Sequence, residues 1–284
     1  MNIVQTINLD DYVQTGEGGT AQAYTHKDGR TLAKLYNPGF EADRAREEFL
    51  TARTVFEMGL PTPEPLRLVT DGVRNGAEYE LIKNKRSFTR IISQEPGRLE
   101  EMSLTFARLA KELHAKQADT ARLGSMKERL RRFYMEKDMV PEDYKRKALQ
   151  FIEQVPEATT CLHGDLQIGN IITDGHRTLW IDVGEFGYGI PEWDLGMMWT
   201  ITHRMDDRRS DFLFHVTHET LLAHWNIFFP AYLGTTDPQR ITEEEHRLEA
   251  FASAKIPFMV DMAHHTRLPE EAFQHLVTAF ENHG

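Results

Sequence analysis

The residues that decide the fold lie in one continuous stretch, which reads Cys161-Leu-His-Gly-Asp-Leu-Gln-Ile-Gly-Asn170 and continues Ile171-Ile-Thr-Asp-Gly-His-Arg-Thr-Leu-Trp-Ile-Asp182. Two short apolar runs, Ile171–Ile172 and Leu179–Ile181, flank the turn dipeptide Asp174-Gly175, which predicts a β-hairpin. A hairpin brings its two ends together. We therefore expect Asn170, before the hairpin, and Asp182, after it, to be neighbours.

Three polar side chains around this hairpin suit chemistry on a phosphate. The amide oxygen of Asn170 and the carboxylate of Asp182 are hard ligands of the kind that Mg²⁺ takes alongside phosphate oxygens. Asp165 stands five residues before Asn170, in a loop that can present its carboxylate to a substrate hydroxyl. This spacing, followed by a hairpin and an aspartate, is the arrangement of a kinase catalytic loop. The alternative is a polar loop whose Asp and Asn only cap turns, but their joint occurrence with His163 favours the functional interpretation.

Outward from this stretch, the two ends of the chain have different patterns. From Ile3 to about Lys83 short strands alternate with turn dipeptides, and one helix is expected from about Glu41 to Met58, ended by Gly59. The rest of the chain shows apolar residues at three- and four-residue steps, which indicates long amphipathic helices. We therefore expect an α+β protein with a small antiparallel β-rich N-terminal lobe, residues 1–83, and a larger, mainly helical C-terminal lobe, residues 84–284.

Composition and charge exclude several classes of protein. The 284 residues carry 33 basic and 44 acidic side chains, a formal net charge of −11 that argues against a nucleic-acid partner. A single cysteine, Cys161, excludes an intramolecular disulfide and a metal site of the CxxC type. No stretch approaches the roughly 18 apolar residues of a membrane-spanning helix, and residues 1–12 lack the pattern of a secretory signal. We expect a soluble, cytoplasmic protein without a membrane partner.

The sequence resembles the aminoglycoside/choline phosphotransferase family, whose members share the protein-kinase-like fold. The similarity covers about residues 13–200 and rests on four segments: the loop His163–Asn170, the pair Ile181-Asp182, Asp194 within Pro191-Glu-Trp-Asp-Leu195, and Leu113-His114-Ala115. The resemblance implies a two-lobed kinase-like fold and the transfer of the γ-phosphoryl group of ATP, with Mg²⁺, to a hydroxyl of a small molecule. An aminoglycoside-, amino alcohol- or sugar-like acceptor would fit. The resemblance also implies that Asp194 holds the backbone of the catalytic loop.

The resemblance assigns nucleotide contacts to the N-terminal lobe. A glycine-rich segment precedes the first hairpin turn, where backbone N–H groups could approach phosphates closely; its residues are Gly16, Gly18, Gly19 and Thr20. Ile82, in the segment after Glu80, is expected to contact the nucleotide. The alternative for the glycine-rich segment taken alone is an ordinary flexible hairpin.

Lys34 is expected to bind the nucleotide with the help of a glutamate. It is the only lysine of its predicted strand, and the kinase role of such a lysine is to pair the α- and β-phosphates. Successive residues of a helix are rotated by about 100° around its axis, which places Glu48 at the margin of the buried face of this predicted helix and Glu47 away from it. That face is formed by Ala45, Phe49, Ala52 and Phe56. We therefore expect Glu48 to hold Lys34.

The acceptor is expected to be a small molecule rather than a protein. Gly164 replaces the arginine of the protein-kinase H-R-D motif, and only a dozen positions separate Asp182 from Asp194, too few for an activation loop and a peptide-docking platform. The acidic net charge favours a cationic acceptor, bound by acidic and aromatic residues of the segment Asp182–Trp199: Glu185, Tyr188, Glu192, Trp193 and Trp199. The alternative is that the acidity only serves solubility.

Two other classes of function stay open at the level of sequence. One is a pseudokinase-like module that binds nucleotide without transferring phosphate. The other is a kinase-fold enzyme that transfers a nucleotide to protein. The products of ATP turnover, ADP or pyrophosphate, distinguish the latter from a phosphotransferase.

Overall fold

The computed structural model describes residues 4–17, 20–38, 42–264 and 268–281. Its contacts divide the chain into two compact units. The first comprises Met1–Arg86 and Ile171–Phe186, and the second comprises Ser87–Asn170 and Gly187–Gly284. Within the described residues no helix is both long and apolar enough to cross a membrane.

The strands and helices follow one another in the α+β order expected from the sequence. The strands are β1 (Gln5–Thr6), β2 (Tyr12–Glu17), β3 (Ala21–His26), β4 (Thr31–Tyr36), β5 (Pro65–Thr70), β6 (Asn75–Glu80), β7 (Arg86–Ser87), β8 (Gly124–Ser125), β9 (Thr160–Leu162), β10 (Ile171–Thr173), β11 (Thr178–Trp180) and β12 (Gly187–Gly189). The helices are α1 (Ala42–Glu57), α2 (Phe88–Gln94), α3 (Leu99–His114), α4 (Met126–Glu136), α5 (Glu142–Gln154), α6 (Glu192–Arg204), α7 (Asp207–Phe214), α8 (His218–Leu233), α9 (Pro238–His264) and α10 (Glu270–Glu281).

The first unit is built on a six-stranded sheet in the order β1-β5-β6-β4-β3-β2. All neighbouring strands in it are antiparallel except β1 and β5, which are parallel. Side chains alternate between the two faces of a strand. In β4, Ala33 and Leu35 are buried in one apolar cluster, whereas Tyr36 packs against Ala45 of α1. The alternation therefore places Lys34, two residues before Tyr36, on the face of the sheet that α1 covers.

Helix α1 packs on this face largely as its periodicity predicts. Ala45, Phe49 and Ala52 are buried, and the helix is followed by Gly59 at φ +74°, a backbone conformation that glycine adopts without a steric penalty. Phe56 was expected on the same stripe, but 38% of its surface is exposed. Near the end of the helix the buried residues are Thr54 and Val55 instead, so the last of the four predicted positions lies outside the buried face.

The hairpin predicted after Asn170 is confirmed. Strands β10 and β11 pair antiparallel with Ile172 opposite Leu179, and the carboxylate of Asp174 accepts the backbone N–H groups of His176 and Arg177 within the turn. Ile172 and Leu179 pack against Ile82, so the contacts of the hairpin group it with the sheet unit. The division expected at residue 83 instead assigns the hairpin to the larger lobe.

The second unit is mainly helical, and its core contains the C-terminal residues that the resemblance leaves unplaced. Ala250, Phe251 and Ala254 of α9 and Phe273 of α10 belong to one buried cluster with Trp193 of α6. A Cβ atom added at Gly196 of α6 would lie 2.9 Å from the backbone nitrogen of Ala252. The helices α6 and α9 therefore approach each other closely at this glycine.

Candidate active site

The loop that carries Asp165 follows β9 and is fixed through its backbone. The N–H group of His163 donates to Oδ2 of Asp194 at 2.7 Å, and the N–H group of Gly164 donates to Oδ1 at 2.9 Å. Asp194 is fully buried in the first turn of α6. The predicted role of Asp194, to hold the backbone of this loop, is confirmed. Gly164 lies at φ +84°, in the left-handed region that favours glycine.

The carboxylate of Asp165 is oriented by Asn170. The side-chain Nδ2 of Asn170 donates to the backbone oxygen of Asp165 at 2.9 Å and to its carboxylate Oδ2 at 3.0 Å. Asn170 is buried at the end of the 3₁₀ turn Ile168–Asn170, whereas Asp165 is partly exposed. Because Asn170 uses its amide nitrogen on Asp165, its Oδ1 is the atom that could take a cation. The structure thus brings these two predicted site residues together.

A buried charge network surrounds Asp194. Nε2 of His114 lies 3.3 Å from Oδ2 of Asp194, Nδ1 of His114 lies 2.8 Å from the hydroxyl of Tyr232, and Nζ of Lys255 lies 4.0 Å from Oδ1 of Asp194. Burial alone would raise the pKa of Asp194. The hydrogen bond from His114 and the charge of Lys255 outweigh burial and hold this pKa below its ordinary value. Asp194 is therefore a stable anion beneath the loop.

The predicted phosphate lysine pairs with a different carboxylate from the one expected. Nζ of Lys34 donates to Oδ1 of Asp182 at 2.8 Å, and both residues belong to the first unit. The carboxylate of Glu48 instead accepts the hydroxyl of Tyr36 and lies 3.6 Å from Nε of Arg44. Tyr36 stands on the same face of β4 as Lys34 and takes the glutamate. The helical periodicity predicts that Glu48 lies at the margin of the buried face of α1. It does not show that Tyr36, rather than Lys34, contacts this glutamate.

The charges around Lys34 keep it protonated. Burial would lower the pKa of Lys34, but Asp182, Tyr36 and Glu48 raise it well above its ordinary value. Glu48 therefore acts on Lys34 electrostatically without an ion pair between the two. Asp182 has a left-handed backbone at φ 53° and 52% of its side chain is exposed. A lysine that stays cationic beside a solvent-accessible carboxylate suits a site for phosphate and a metal ion.

The other residues predicted to bind the nucleotide are those of the glycine-rich segment and Ile82. Gly16 lies in β2 opposite Ala23, next to an irregularity in the pairing, and the backbone oxygen of Thr20 accepts the N–H group of Asn37. Gly18 and Gly19 lie outside the described residues. Ile82 is buried against the hairpin β10–β11. The contacts of these residues with a nucleotide stay predictions.

The donor chemistry at Asn170 and Asp182 fits Mg²⁺. An amide oxygen and a carboxylate are oxygen ligands of the kind that Mg²⁺ binds together with substrate phosphates and water. Asn170 belongs to the second unit and Asp182 to the first, so their juxtaposition stays a prediction. Within the described residues no group of three His, Cys, Asp or Glu side chains is arranged to hold a metal ion.

The acidic residues expected to attract a cationic acceptor are paired with arginines. Glu185 lies 3.8 Å from Nη2 of Arg44, and Glu192 lies 3.3 Å from Nη2 of Arg247. Trp193 and Trp199 are buried. The negative charges of these two carboxylates are therefore partly compensated by neighbouring arginines, which weakens the charge argument for a cationic acceptor.

Sequence reasoning missed one residue of this loop's surroundings. Nζ of Lys255, in α9, donates to the backbone oxygen of Gly164 at 2.6 Å. The available signal was a lysine in the centre of the stretch Ala250–Val260, which is apolar apart from it and Ser253, because a lysine is seldom buried without a partner.

The model of the phosphotransferase enzyme family matches residues 13–225 of the sequence. The chain belongs to this family. It is a small-molecule kinase, as the resemblance at the loop His163–Asn170 and the short segment between Asp182 and Asp194 led us to expect. No curated protein matches the sequence significantly. Helix α9 and its Lys255 lie beyond the part that the family model matches.

Solved structures of this phosphotransferase fold resemble the chain over nearly all of its length. A thermostable mutant of the aminoglycoside phosphotransferase APH(4)-Ia, in a ternary complex with ADP and hygromycin B, has a TM-score of 0.58 at 15% identity and covers 96% of this chain and 91% of its own. A choline/ethanolamine kinase family protein from Mesorhizobium loti has a TM-score of 0.55 at 14% identity, with 95% and 86% covered. The amicoumacin kinase hAmiN, in complex with AMP-PNP, Ca²⁺ and Ami, has a TM-score of 0.57 at 14% identity, with 98% and 90% covered. The predicted protein-kinase-like fold is confirmed.

Proposed function

We propose that this phosphotransferase moves the γ-phosphoryl group of MgATP to a hydroxyl of a small molecule, with Asp165 as its catalytic residue. The observation that carries the proposal is the way Asp165 is held. Its carboxylate accepts a hydrogen bond from Asn170 at 3.0 Å, and the two residues before it are tied through their backbone to the buried Asp194. A carboxylate fixed in this way can hold an acceptor hydroxyl in one orientation.

Asp165 would act on the acceptor. Its carboxylate would accept a hydrogen bond from the hydroxyl, point the oxygen at the γ-phosphorus, and take the proton as the new P–O bond forms and the bond to the leaving ADP oxygen breaks. Most of the acceleration in such a transfer comes from positioning and from electrostatic stabilisation. The hydrogen bond from Asn170 restricts the rotation of the carboxylate, which serves the positioning part.

Lys34 and Asp182 would act on the donor. The ammonium group of Lys34 would neutralise phosphate charge, and its raised pKa keeps it cationic for this purpose. Oδ1 of Asn170 and the carboxylate of Asp182 would hold Mg²⁺, which when bound supplies further neutralisation of phosphate charge. Asp182 pairs with Lys34 at 2.8 Å, so both groups are turned towards the same region of the first unit.

The solved structures with the same fold support the class of donor and acceptor. Their bound molecules include ADP with hygromycin B and AMP-PNP with Ami. We extend to this chain an adenine nucleotide as donor and a hydroxylated small molecule as acceptor: an aminoglycoside-like, amino alcohol-like or sugar-like compound. The pairing of Glu185 and Glu192 with arginines gives no preference for a cationic one.

The test is ADP release by the purified chain with MgATP across a panel of hydroxylated small molecules, with pyrophosphate measured in parallel. We expect acceptor-dependent ADP and a phosphorylated product. Asp165→Asn should lower this rate by about 10²–10⁴-fold, the usual value of positioned acid–base help. The matched control is Asp119→Asn. Asp119 lies in the same unit, and its carboxylate accepts the N–H group of Ala121 within a turn and lies 3.9 Å from Nη1 of Arg122.

Three outcomes would contradict the proposal. Pyrophosphate in place of ADP would indicate transfer of a nucleotide. Binding of MgATP without any product would indicate a nucleotide-binding module. A folded Asp165→Asn variant with the parent rate would remove Asp165 from the chemistry.

A further inference from the structure

A buried lysine lies directly beneath the loop that carries Asp165. Lys255 is 0% exposed. Its Nζ donates to the backbone oxygen of Gly164 at 2.6 Å and to that of Trp193 at 3.2 Å, and it lies 4.0 Å from Oδ1 of Asp194. The lysine therefore joins the loop, the start of α6 and α9 at one point.

Stability alone does not account for a charge at this position. Removing an ammonium group from water is costly, and a buried ion pair is often no more stable than well-packed apolar side chains of similar volume. The surroundings of Lys255 offer such packing, because Ala250, Phe251 and Ala254 of the same helix belong to a buried apolar cluster of this unit. The cation is better explained by what its hydrogen bonds hold in place.

The hydrogen bonds hold the peptide groups immediately before Asp165. Gly164 has a left-handed backbone at φ +84°; its N–H group donates to Asp194 at 2.9 Å and its carbonyl oxygen accepts from Lys255 at 2.6 Å. That carbonyl belongs to the peptide bond whose nitrogen is the backbone nitrogen of Asp165. The anion Asp194 and the cation Lys255 thus fix both polar groups of Gly164, and with them the direction in which the chain enters Asp165.

We propose that Lys255 is a positioning residue for phosphoryl transfer, which acts by orienting the Gly164–Asp165 peptide and so the carboxylate of Asp165. This proposal rests on the proposed function of Asp165. It assigns a role in the reaction to α9, which lies outside the residues that the family model matches. A displacement of about 1 Å in a reacting group can lower a rate by about 10²-fold, so a loss of this support should be measurable in turnover.

The test compares Lys255→Met with Lys127→Met. Methionine keeps an unbranched side chain, one heavy atom shorter than that of lysine, and removes the charge. Lys127 is a matched control because it is also buried in the second unit and donates to two backbone oxygens, those of Val155 at 2.7 Å and Glu153 at 3.3 Å, away from the loop. We expect Lys255→Met to lower kcat by about 10- to 100-fold, with the KM for MgATP changed by less than about threefold, and Lys127→Met to leave kcat unchanged.

A second measurement does not depend on activity. Hydrogen exchange by mass spectrometry on peptides that cover residues 160–170 reports the opening of the loop. We expect faster exchange at the amides of His163 and Gly164 in Lys255→Met than in the parent, and no change there in Lys127→Met. If Lys255→Met does not fold, Lys255→Gln is measured in the same two ways, with the same expected direction.

The outcomes separate this proposal from the proposed function. A folded variant with the parent kcat, or with unchanged exchange in the loop, overturns the positioning role. A loss of kcat matched by Lys127→Met would show a general effect of removing a buried lysine and would also overturn it. If the parent releases no ADP with any acceptor, the proposed function fails, and faster loop exchange in Lys255→Met then supports only the structural half of the proposal while its catalytic half falls with Asp165.

Discussion

Asp182 pairs with a lysine and is also a predicted metal ligand. Its carboxylate pairs with Lys34 at 2.8 Å and is half exposed, and its proposed function is to hold Mg²⁺. We predict that Asp182→Asn weakens MgATP binding by about tenfold or more, because it removes a charged metal ligand and unpairs Lys34. Asp165→Asn should change this affinity by less than about threefold, because Asp165 is assigned to the acceptor. Isothermal titration calorimetry with MgATP measures both.

Asp174 provides the control for this pair of variants. It lies on the same hairpin as Asp182, but its carboxylate accepts backbone N–H groups within the turn, a role that asparagine also fills, and its one ion pair among the described residues is with Arg177 of the same turn, at 3.4 Å. Asp174→Asn should therefore bind MgATP like the parent. Equal affinities of Asp182→Asn and Asp174→Asn would contradict the assignment of Asp182.

At the scale of the structural elements, the contact between α6 and α9 positions the charges beneath the catalytic loop. Helix α6 carries Asp194 and α9 carries Lys255, and Gly196 allows the two helices to approach. A Cβ atom there would lie 2.9 Å from the nitrogen of Ala252 and 3.0 Å from Cβ of Phe251. We predict that Gly196→Ala lowers the free energy of unfolding by about 1–3 kcal/mol, since the helices must separate to admit the methyl group.

Urea unfolding followed by circular dichroism measures this loss. Gly97→Ala is the matched control, because a Cβ atom at Gly97 meets nothing within 4 Å. Alanine leaves the unfolded chain less conformational entropy to lose on folding, so the free energy of unfolding of this variant should equal that of the parent or rise slightly. Equal stability of the Gly196 and Gly97 variants would show that α6 and α9 adapt without cost.

The elements near the hairpin could be predicted from the sequence, because their signals are local. The turn dipeptide Asp174-Gly175 and the apolar runs beside it define β10 and β11, and the spacing from Asp165 to Asn170 identified the pair that the structure joins by a hydrogen bond. Pairings between distant residues gave no such signal. Lys34 pairs with Asp182, and Glu48 accepts the hydroxyl of Tyr36; the periodicity of α1 alone cannot reveal these partners.

Lys255 was beyond prediction for a related reason. Its partner is a backbone oxygen 91 positions earlier in the chain. Every residue carries a backbone oxygen, so the sequence does not indicate which one accepts the hydrogen bond. Its position inside an apolar stretch of α9 indicated only that it needed a partner. The sequence signals thus sufficed for the side chains of the catalytic loop and failed for the side chain that supports its backbone from the C-terminal helices.

At the scale of the whole molecule, stability should depend on pH through one buried histidine. His224 of α8 is buried beside Phe106 and Phe228, and burial lowers its pKa to about 3. An unfolded chain titrates histidine near a pKa of about 6.5. Between these values the unfolded state binds a proton that the folded state does not, so the free energy of unfolding falls as the pH drops, by up to about 1.4 kcal/mol per pH unit.

We predict that His224→Phe removes this part of the pH dependence. Phenylalanine suits the aromatic surroundings, and Nε2 of His224 has no hydrogen-bond partner to lose. The substitution removes the contact of 2.9 Å between Nδ1 of His224 and the hydroxyl of Ser103, but that hydroxyl keeps its bond to the backbone oxygen of Leu99. Urea unfolding between pH 5 and pH 7.5 should therefore show a shallower slope below about pH 6.5 in the variant, whereas the exposed His176→Gln should follow the parent. The lowered pKa of Asp194 also makes the free energy of unfolding fall at low pH. Its contribution to stability is lost only as the pH falls through the folded-state pKa of Asp194, which lies below the ordinary aspartate value of about 4. Parallel profiles of parent and His224→Phe from pH 5 to 6.5 would show that His224 takes up a proton inside the folded chain, and that the contact between α3 and α8 admits a charge.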